Sequence, residues 1–272
     1  MTLAGLVSSD GAVNREKLTL SKWDIGAGSW YWADTFEAMA QLPDGSVDMI
    51  LCDLPYGTTQ NKGDAVIPFE PLWREYWRVC KPNAAIVLTA AQPFASALLM
   101  SQPDKFRYQW VWEKTAGTGF LNAKKAPLRC HELALVFSQK QPDYFPIKTA
   151  GHTIKRVNAA YASHGDNYNK VASVRAPYES TERFPRDVLK FPKDNRIGRP
   201  HPTQKPVALF EYLIKTYTLP YDLVLDNTAG SGTTAIAAEQ TGRRWVCIER
   251  ELDYSLAAMD RITRHIETRA AA

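Results

Sequence analysis

The spacing of apolar and polar residues in the first half of the chain predicts strands that alternate with helices. Short apolar runs bounded by turn residues are typical of buried strands, and they occur near Trp30 and at residues 47–52, 84–90 and 132–138. Residues 106–114 alternate between apolar and polar side chains, which also predicts a strand. Apolar residues at helical spacing occupy residues 69–82 and residues 93–100. About four or five strands with helices between them indicate a mostly parallel sheet.

The last third of the chain repeats this alternation. The predicted elements are a helix at 206–218, a strand at 222–226, a glycine turn with an Ala-rich helix at 228–242, a strand at 243–251 and a closing amphipathic helix. Both regions therefore favour an α/β fold with a doubly wound, mostly parallel sheet.

Periodicity fades between residues 139 and 199, where proline, tyrosine, asparagine and basic residues dominate. This segment contains twelve basic and six acidic residues, a net charge of +6, while the whole chain carries +4. Interleaved aromatic residues argue for a small folded insertion with a basic face, which suits nucleic acid, rather than for a solvated loop. We predict one domain split into residues 1–138 and 200–272, with the insertion at 139–199.

Composition narrows the class of protein. No apolar stretch is long enough to span a membrane, and the first residues lack the order of a signal peptide, so we expect a cytoplasmic protein. Cys52, Cys80, Cys130 and Cys247 form no CxxC pair, which argues against a zinc site and a disulfide framework. We expect four buried, reduced thiols and no metal.

Residues 224–251 place a glycine turn between two strands that each end in an acid. Asp226 ends the first strand, Gly230 and Gly232 lie in the turn, and Glu249 ends the second strand. In a doubly wound sheet, such glycines let the backbone approach a nucleoside-bearing cofactor, and the second acid accepts hydrogen bonds from ribose hydroxyls. The spacing is not GxGxxG and lacks the lysine of a phosphate-binding loop, so no pyrophosphate is required. A plain strand-to-helix connection is the alternative.

The apolar run 47–52 ends in Asp53, Leu54, Pro55 and Tyr56. Pro55 fixes its own φ and restricts Leu54 to extended geometry, so the Leu54 carbonyl and the Asp53 carboxylate are held in a defined relation. Two acceptors beside an aromatic face suit a planar ring with an exocyclic amino group, on which Tyr56 would stack. The alternative is a turn in which Asp53 only caps the strand end.

Together, these motifs resemble those of amino-group DNA methyltransferases. DLPY (53–56) is similar to the (D/N/S)-P-P-(Y/F/W) motif of that family, and DNTAGSGTT (226–234) resembles its S-adenosylmethionine motif. RPHPTQKP (199–206) resembles the H-P-T-Q-K-P element that precedes the cofactor motif, and residues 31–56 match the approach to the catalytic strand. The catalytic motif comes first, then a variable basic region, then the cofactor motif, which is the order of the circularly permuted β group.

The resemblance implies a Rossmann-like methyltransferase fold that takes a methyl group from S-adenosylmethionine and gives it to a base flipped out of double-stranded DNA. Asp53 and the Leu54 carbonyl would hold the target amine, and Tyr56 would stack on the base. Lys205 and Pro206 would close the cofactor pocket. The implied cofactor contacts are Asp34 (adenine), Glu249 (ribose), Asp53, Lys205, Pro206, Asp226, Ala229, Gly230, Ser231, Gly232, Thr233 and Thr234. Dimers occur in this group, although the sequence shows no interface.

Candidate DNA contacts lie in the loop before residues 132–138 and in the basic segment. They are Phe120, Asn122, Lys124, Lys125, Lys155, Arg156 and Arg175. A basic surface loop is the alternative for the first four. His131 and His201 have no visible partner and are expected to be structural, and Trp110 and Trp112 are expected in the core.

Two positions depart from the family pattern, and the target atom has more than one candidate. Leu54 replaces the first proline but keeps the carbonyl acceptor, so activity should survive, and Gly63 stands where relatives often carry an aromatic residue. Aspartate at the head of the motif favours N6 of adenine, with N4 of cytosine as the open alternative. A protein glutamine or an RNA base is a less favoured alternative, and the basic segment and the HPTQKP element argue against the protein substrate. A relic that binds DNA without catalysis is a third class.

Overall fold

The computed structural model describes residues 20–57, 64–157, 177–193 and 204–271. Its strands are β1 (Ser21–Ile25), β2 (Gly28–Trp32), β3 (Val47–Asp53), β4 (Cys80–Ala90), β5 (Phe106–Thr118), β6 (Arg129–Phe137), β7 (Lys155–Val157), β8 (Tyr178–Ser180), β9 (Val188–Phe191), β10 (Leu223–Asp226) and β11 (Arg244–Glu249). Its helices are α1 (Thr35–Met39), α2 (Phe69–Val79), α3 (Phe94–Ser101), α4 (Val207–Tyr217), α5 (Thr233–Thr241) and α6 (Leu252–Ala270).

One large sheet has the strand order β1-β2-β11-β10-β3-β4-β6-β5-β9. The central strands β2, β11, β10, β3 and β4 are all parallel to their neighbours in this group. β1 is antiparallel to β2 at one edge, and β6 is antiparallel to both β4 and β5 on the other side. The prediction of an α/β fold with a doubly wound, mostly parallel sheet is confirmed. The sequence did not predict β1, a short edge strand joined to β2 by a tight turn.

Helices cover both faces of the sheet, which explains why β3 is an apolar run rather than an alternating one. Met49 and Leu51 pack in the layer that includes α4, α5 and α6. Ile50 and Cys52 point the other way and pack in the layer that includes α1, α2 and α3. β3 is therefore a central strand, buried on both sides. No helix in the described residues has the length and apolar character of a membrane span.

Residues Pro146–Arg186 form a second compact unit. Its described part contains the antiparallel pair of β7 and β8 and a bridge between Thr149 and Arg183. The sequence places the insertion at 139–199, and within this range β9 pairs with β5 of the large sheet.

The expectation of four buried thiols is wrong for Cys130. Cys52, Cys80 and Cys247 are buried and free, whereas Cys130 is free and exposed. Cys130 lies near the start of β6, where that strand runs past the apolar layers and its first three residues are exposed.

A buried polar network joins the ends of the central strands. The Asn227 side chain, directly after β10, donates to Thr35 Oγ1 (2.8 Å) and accepts from the Tyr76 hydroxyl (2.6 Å) and from Cys52 Sγ (2.9 Å). These partners come from α1, α2 and β3. The network thus fixes the turn after β10 against the strand that carries Asp53.

Asp226, the last residue of β10, is a buried carboxylate with a side chain and a backbone group as donors. Asp226 is only 3% exposed. Thr234 Oγ1 donates to its Oδ2 (2.5 Å), and the Thr228 amide donates to its Oδ1 (3.1 Å). Burial raises the pKa of Asp226 to about 7, because desolvation of the charge outweighs these two hydrogen bonds.

The raised pKa of Asp226 predicts a pH-dependent effect of Asp226→Asn on stability. Because the folded chain binds this proton more tightly than the unfolded chain does, the contribution of Asp226 is fully present at low pH and is lost as pH rises toward 7. Asparagine does not titrate, so the free energy of unfolding of the variant should rise relative to wild type from about pH 4 to about pH 7 and then level off. Urea denaturation of both proteins at each pH measures this difference, in which other titrating groups cancel. A difference that is constant with pH would contradict the prediction.

Candidate active site

Four neighbouring parallel strands deliver an acid to the same edge of the sheet. Asp34 follows β2, Glu249 ends β11, Asp226 ends β10 and Asp53 ends β3. Ligands of doubly wound sheets bind outside the carboxyl ends of the strands. At this edge, all four acids line one cavity of about 770 Å³.

Most of the residues predicted for catalysis and cofactor binding lie on the wall of this cavity. They are Asp34, Asp53, Leu54, Pro55, Tyr56, Lys205, Asp226, Ala229, Gly230, Ser231, Thr233 and Glu249. Three others lie behind the wall. Pro206 precedes α4, Gly232 precedes α5, and Thr234 is fully buried and donates to Asp226.

The turn from β10 to α5 depends on its glycines. Gly230 and Gly232 both have positive φ, at +49° and +73°, a region that side chains disfavour. A Cβ on Gly232 would also lie 3.0 Å from Ile262 Cδ1 and 3.3 Å from Ala258 Cβ, both on α6. Glycine at this position therefore lets α6 pack closely while the turn lines the cavity.

Glu249 and Asp34 face the cavity with backbone amides as partners. Glu249 accepts from the amides of Gly230 (2.9 Å) and Glu251 (2.8 Å), and Asp34 accepts from the amide of Phe36 (2.8 Å) at the start of α1. Burial raises the pKa of Glu249, and the hydrogen bonds to its carboxylate oppose this shift only in part. These contacts hold each acid in one orientation at the wall.

Asp53 is held through both carboxylate oxygens. Lys205 Nζ donates to Oδ2 (2.6 Å), and the Tyr56 hydroxyl (2.8 Å) and Thr89 Oγ1 donate to Oδ1. Thr228 Oγ1 donates to the main-chain carbonyl of Asp53 (3.1 Å). Thr89 of β4, Lys205 just before α4 and Thr228 in the turn after β10 therefore all bond to Asp53.

Lys205 joins Asp53 to a chain of alternating charges. The lysine is 7% exposed and also lies 3.3 Å from Glu132, which in turn pairs with Lys114. Burial alone would lower the pKa of Lys205, but the charges of Asp53 and Glu132 and the Tyr56 phenol outweigh burial and raise this pKa. Burial alone would raise the pKa of Glu132, but Lys205 and Lys114 hold it below its ordinary value. Lys205 is thus a buried cation with two anionic partners.

Tyr56 has a fixed ring. Phe94 stacks on it with ring centroids 5.0 Å apart and an interplanar angle of 23°. Burial and the nearby Asp53 raise the pKa of Tyr56 well above its ordinary value, so the phenol stays protonated and donates to Asp53. Phe94 covers one face of the ring, and Lys205 Nζ lies over the ring, 5.6 Å from its centroid.

The predicted DNA contacts that fall within the described residues do not line the cavity. Phe120 and Asn122 lie in a short 3-10 turn between β5 and β6, and Lys124 and Lys125 follow it, all exposed. Lys155 and Arg156 lie on β7 in the second unit, where Arg156 pairs with Glu179 at 2.6 Å. Arg175, and likewise Gly63 and His201, lies outside the described residues.

The remaining singled-out residues have ordinary surroundings. Trp110 and Trp112 are buried, and their indole nitrogens donate to the Tyr217 hydroxyl (2.6 Å) and the Phe191 carbonyl (2.9 Å). Trp112 also contributes to the cavity wall, as does the exposed His131.

Several residues around Asp53 were not found from the sequence. They are Thr89, Phe94, Lys114, Glu132 and Asn227. The sequence contains a usable signal for two of these residues. Thr89 and Glu132 are polar residues next to the apolar runs of β4 and β6. Lys205 was predicted to close the cofactor pocket, and its contact with Asp53 was missed.

The sequence is similar to known methylases over most of its length. The sequence model of the DNA methylase family matches residues 47–260. YubD of Escherichia coli strain K12, assigned as a methylase, is 30% identical over 237 residues, which cover 84% of this chain and 87% of YubD. The type II methyltransferase M2.DpnII of Streptococcus pneumoniae is 27% identical over 262 residues, covering 87% of this chain and 90% of its own.

Solved structures show the same fold. The cytosine-N4-specific PvuII DNA methyltransferase superposes with a TM-score of 0.61 at 18% identity, covering 92% of this chain and 93% of its own. M1.HpyAVI in complex with SAM gives a TM-score of 0.57 at 23% identity, covering 85% of this chain and 98% of its own. With the family match across most of the chain and the motifs gathered in one cavity, this protein belongs to the N6/N4 DNA methylase family, which consists of S-adenosylmethionine-dependent DNA methyltransferases.

Proposed function

We propose that this DNA methyltransferase acts on double-stranded DNA and methylates the N6 amino group of adenine after the base has left the stack. The observation that carries the proposal is Asp53, an acid at the cavity edge of a central strand, held on both oxygens, with Leu54 and Tyr56 beside it on the cavity wall. Aspartate at the head of the motif supports adenine as the target.

The geometry of Asp53 suits an amino group. A carboxylate offers about four acceptor positions, and three donors from Lys205, Tyr56 and Thr89 use three of them. The fourth is available to one amino proton of the target, and the Leu54 carbonyl on the same wall would accept the other. Accepting both protons orients the nitrogen lone pair, and such positioning supplies much of the rate in a bimolecular transfer.

The donor and acceptor groups at the other strand ends fit S-adenosylmethionine. Carboxylates at Glu249 and Asp34 suit ribose hydroxyls and an adenine amine, and the glycine turn lets backbone approach the ligand closely. When bound, this cofactor supplies a methyl group on a sulfonium sulfur. Glu249 and Asp34 would bind and orient it, and Ala229, Gly230 and Ser231 would line the same side.

Tyr56 would stack on the target base. Its ring is fixed by Phe94 on one face and by the hydrogen bond of its hydroxyl to Asp53, so the ring has a constant relation to the carboxylate. An aromatic platform with a neighbouring acceptor reads a flipped base by stacking and by its polar edge.

Transfer of a labelled methyl group to DNA tests the target atom. Wild-type protein with methyl-labelled S-adenosylmethionine and genomic DNA should give labelled N6-methyladenine after digestion to nucleosides. Labelled N4-methylcytosine would contradict the choice of adenine. No label in DNA, with label in RNA or protein, would contradict the substrate class.

Asp53→Ala should lower methyl transfer at least about a hundredfold, because the variant loses an acceptor that positions the reacting amine. Binding of S-adenosylmethionine, measured by calorimetry, should stay within about threefold, since Glu249 and Asp34 are untouched. Lys205 keeps Glu132 as a partner, so the variant should fold. Asp24→Ala, which removes an exposed acid on β1, is the matched control and should keep full activity. An active Asp53→Ala protein would exclude the proposed role.

Lys205→Gln should cost about 3 kcal/mol of unfolding free energy, because it leaves Asp53 and Glu132 without their shared cation. The double variant Asp53→Asn, Lys205→Gln leaves the balanced pair of Glu132 and Lys114 and should recover part of that loss. The rate constant for methyl transfer should fall in both variants. Urea denaturation and single-turnover assays measure the two effects.

The same Lys205→Gln protein separates two roles for the lysine. If Lys205 positions Asp53, the rate constant for transfer should fall far more than the affinity for S-adenosylmethionine. A loss confined to cofactor affinity would instead assign Lys205 to closure of the cofactor pocket.

A further inference from the structure

Two adjacent apolar side chains at the tip of the hairpin between β5 and β6 lie almost entirely in solvent. Phe120 is 74% exposed and Leu121 is 88% exposed. Single exposed apolar residues are ordinary, but a neighbouring aromatic and aliphatic pair at the end of a projecting turn is typical of a contact surface.

The hairpin tip starts at the rim of the cavity. Thr118 and Arg129 pair across the two strands, with Thr118 Oγ1 donating to the Arg129 carbonyl (3.2 Å), and both residues line the cavity wall. Further along the same strands lie Lys114 and Glu132, the outer members of the charge chain that reaches Asp53. The apolar tip therefore projects beside the opening through which a base would reach Asp53.

The tip has a defined shape. Gly119 has a φ of +89°, which starts the 3-10 turn at Phe120, and the amides of Asn122 and Ala123 donate to the carbonyls of Gly119 (2.9 Å) and Phe120 (3.1 Å). The amide of Lys125 donates to the Asn122 carbonyl (2.8 Å). A turn with satisfied backbone groups can present a side chain at low entropic cost.

Cations follow the apolar pair in the chain. Lys124, Lys125 and Arg129 are all exposed on the same hairpin. Apolar side chains beside cations are complementary to duplex DNA, in which stacked bases lie beside phosphates. This charge pattern and the continuity with the cavity select DNA as the occupant over an apolar protein surface.

We propose that Phe120 and Leu121 form a wedge that enters the base stack at the point the target base leaves and fills the space it vacates, while Lys124 and Lys125 hold neighbouring phosphates. The inference rests on the proposed function, because a wedge is needed only if the base is flipped. Filling the gap offsets part of the cost of unstacking, so the wedge favours the flipped state over the stacked state.

The test compares two duplex oligonucleotides that contain the sequence methylated by the wild type. One has the target base paired, and the other has an abasic site opposite it, which makes flipping cheap. Phe120→Ala, Leu121→Ala should lower kcat/KM on the paired duplex at least about tenfold and by less than about threefold on the abasic duplex. With 2-aminopurine at the target position, wild type should raise its fluorescence on binding and the double variant should not.

Two control variants separate a wedge from other roles of the same loop. The double variant Lys124→Ala, Lys125→Ala should bind both duplexes more weakly, and to the same extent. The salt dependence of its binding should fall by the amount expected for the loss of about two phosphate contacts. Met100→Ala, which removes an exposed apolar side chain on α3, should leave kcat/KM unchanged on both duplexes. The tip side chains are exposed, so the unfolding midpoint of the wedge variant should match that of wild type.

The outcomes distinguish the two hypotheses. Equal losses on both duplexes, or no loss, with an active wild type would overturn the wedge and leave the proposed function intact. A change in oligomeric state with normal 2-aminopurine fluorescence would overturn it in favour of a protein interface. A wild type that methylates no DNA would overturn the proposed function and the wedge with it.

Discussion

The buried ion pair between Lys205 and Asp53 joins segments that are 152 residues apart in the chain. Asp53 ends β3, and Lys205 lies just before α4, which packs on the face of the sheet that includes Met49 and Leu51. A buried cation without partners is costly, so Lys205 is stable only where the carboxylates of Asp53 and Glu132 surround it. The packing of β3, α4 and β6 against one another and the formation of the cavity therefore depend on the same buried charges.

The motif at Asp53 and the motif at Asp226 lie far apart in the sequence, and the sheet brings the two parts of the chain that carry them together. β3 carries Asp53 and pairs with β10, which carries Asp226, although the second unit lies between them in sequence. Thr228 then bonds the Asp53 carbonyl, and Asn227 bonds Cys52. The turns that follow β3 and β10 are thus in direct contact, and neither can shift without the other.

The sequence predicts the fold and the cavity edge well because both depend on local patterns. Apolar runs that end in an acid locate the central strands, and parallel neighbours place those ends together, so this pattern suffices to group Asp53, Asp226 and Glu249. The family resemblance was needed to add Asp34 to this group. The partners of Asp53 could not be predicted, since they depend on side-chain directions across distant strands. β1 was missed because five residues beside a turn give a weak strand signal. The exposure of Cys130 could not be predicted, because the start of β6 extends beyond the apolar layers that cover the sheet. The amino-acid sequence of this strand does not show where those layers end.

The uneven exposure of the four cysteines makes the native chain suitable for selective labelling. Burial raises the pKa of Cys52, Cys80 and Cys247, so these thiols stay protonated and shielded from alkylating reagents. Cys130 is exposed and lies one residue from His131 and two from Glu132, both on the cavity wall. A maleimide fluorophore would therefore attach at one site, beside the opening of the cavity, and report on ligands there without any engineered residue.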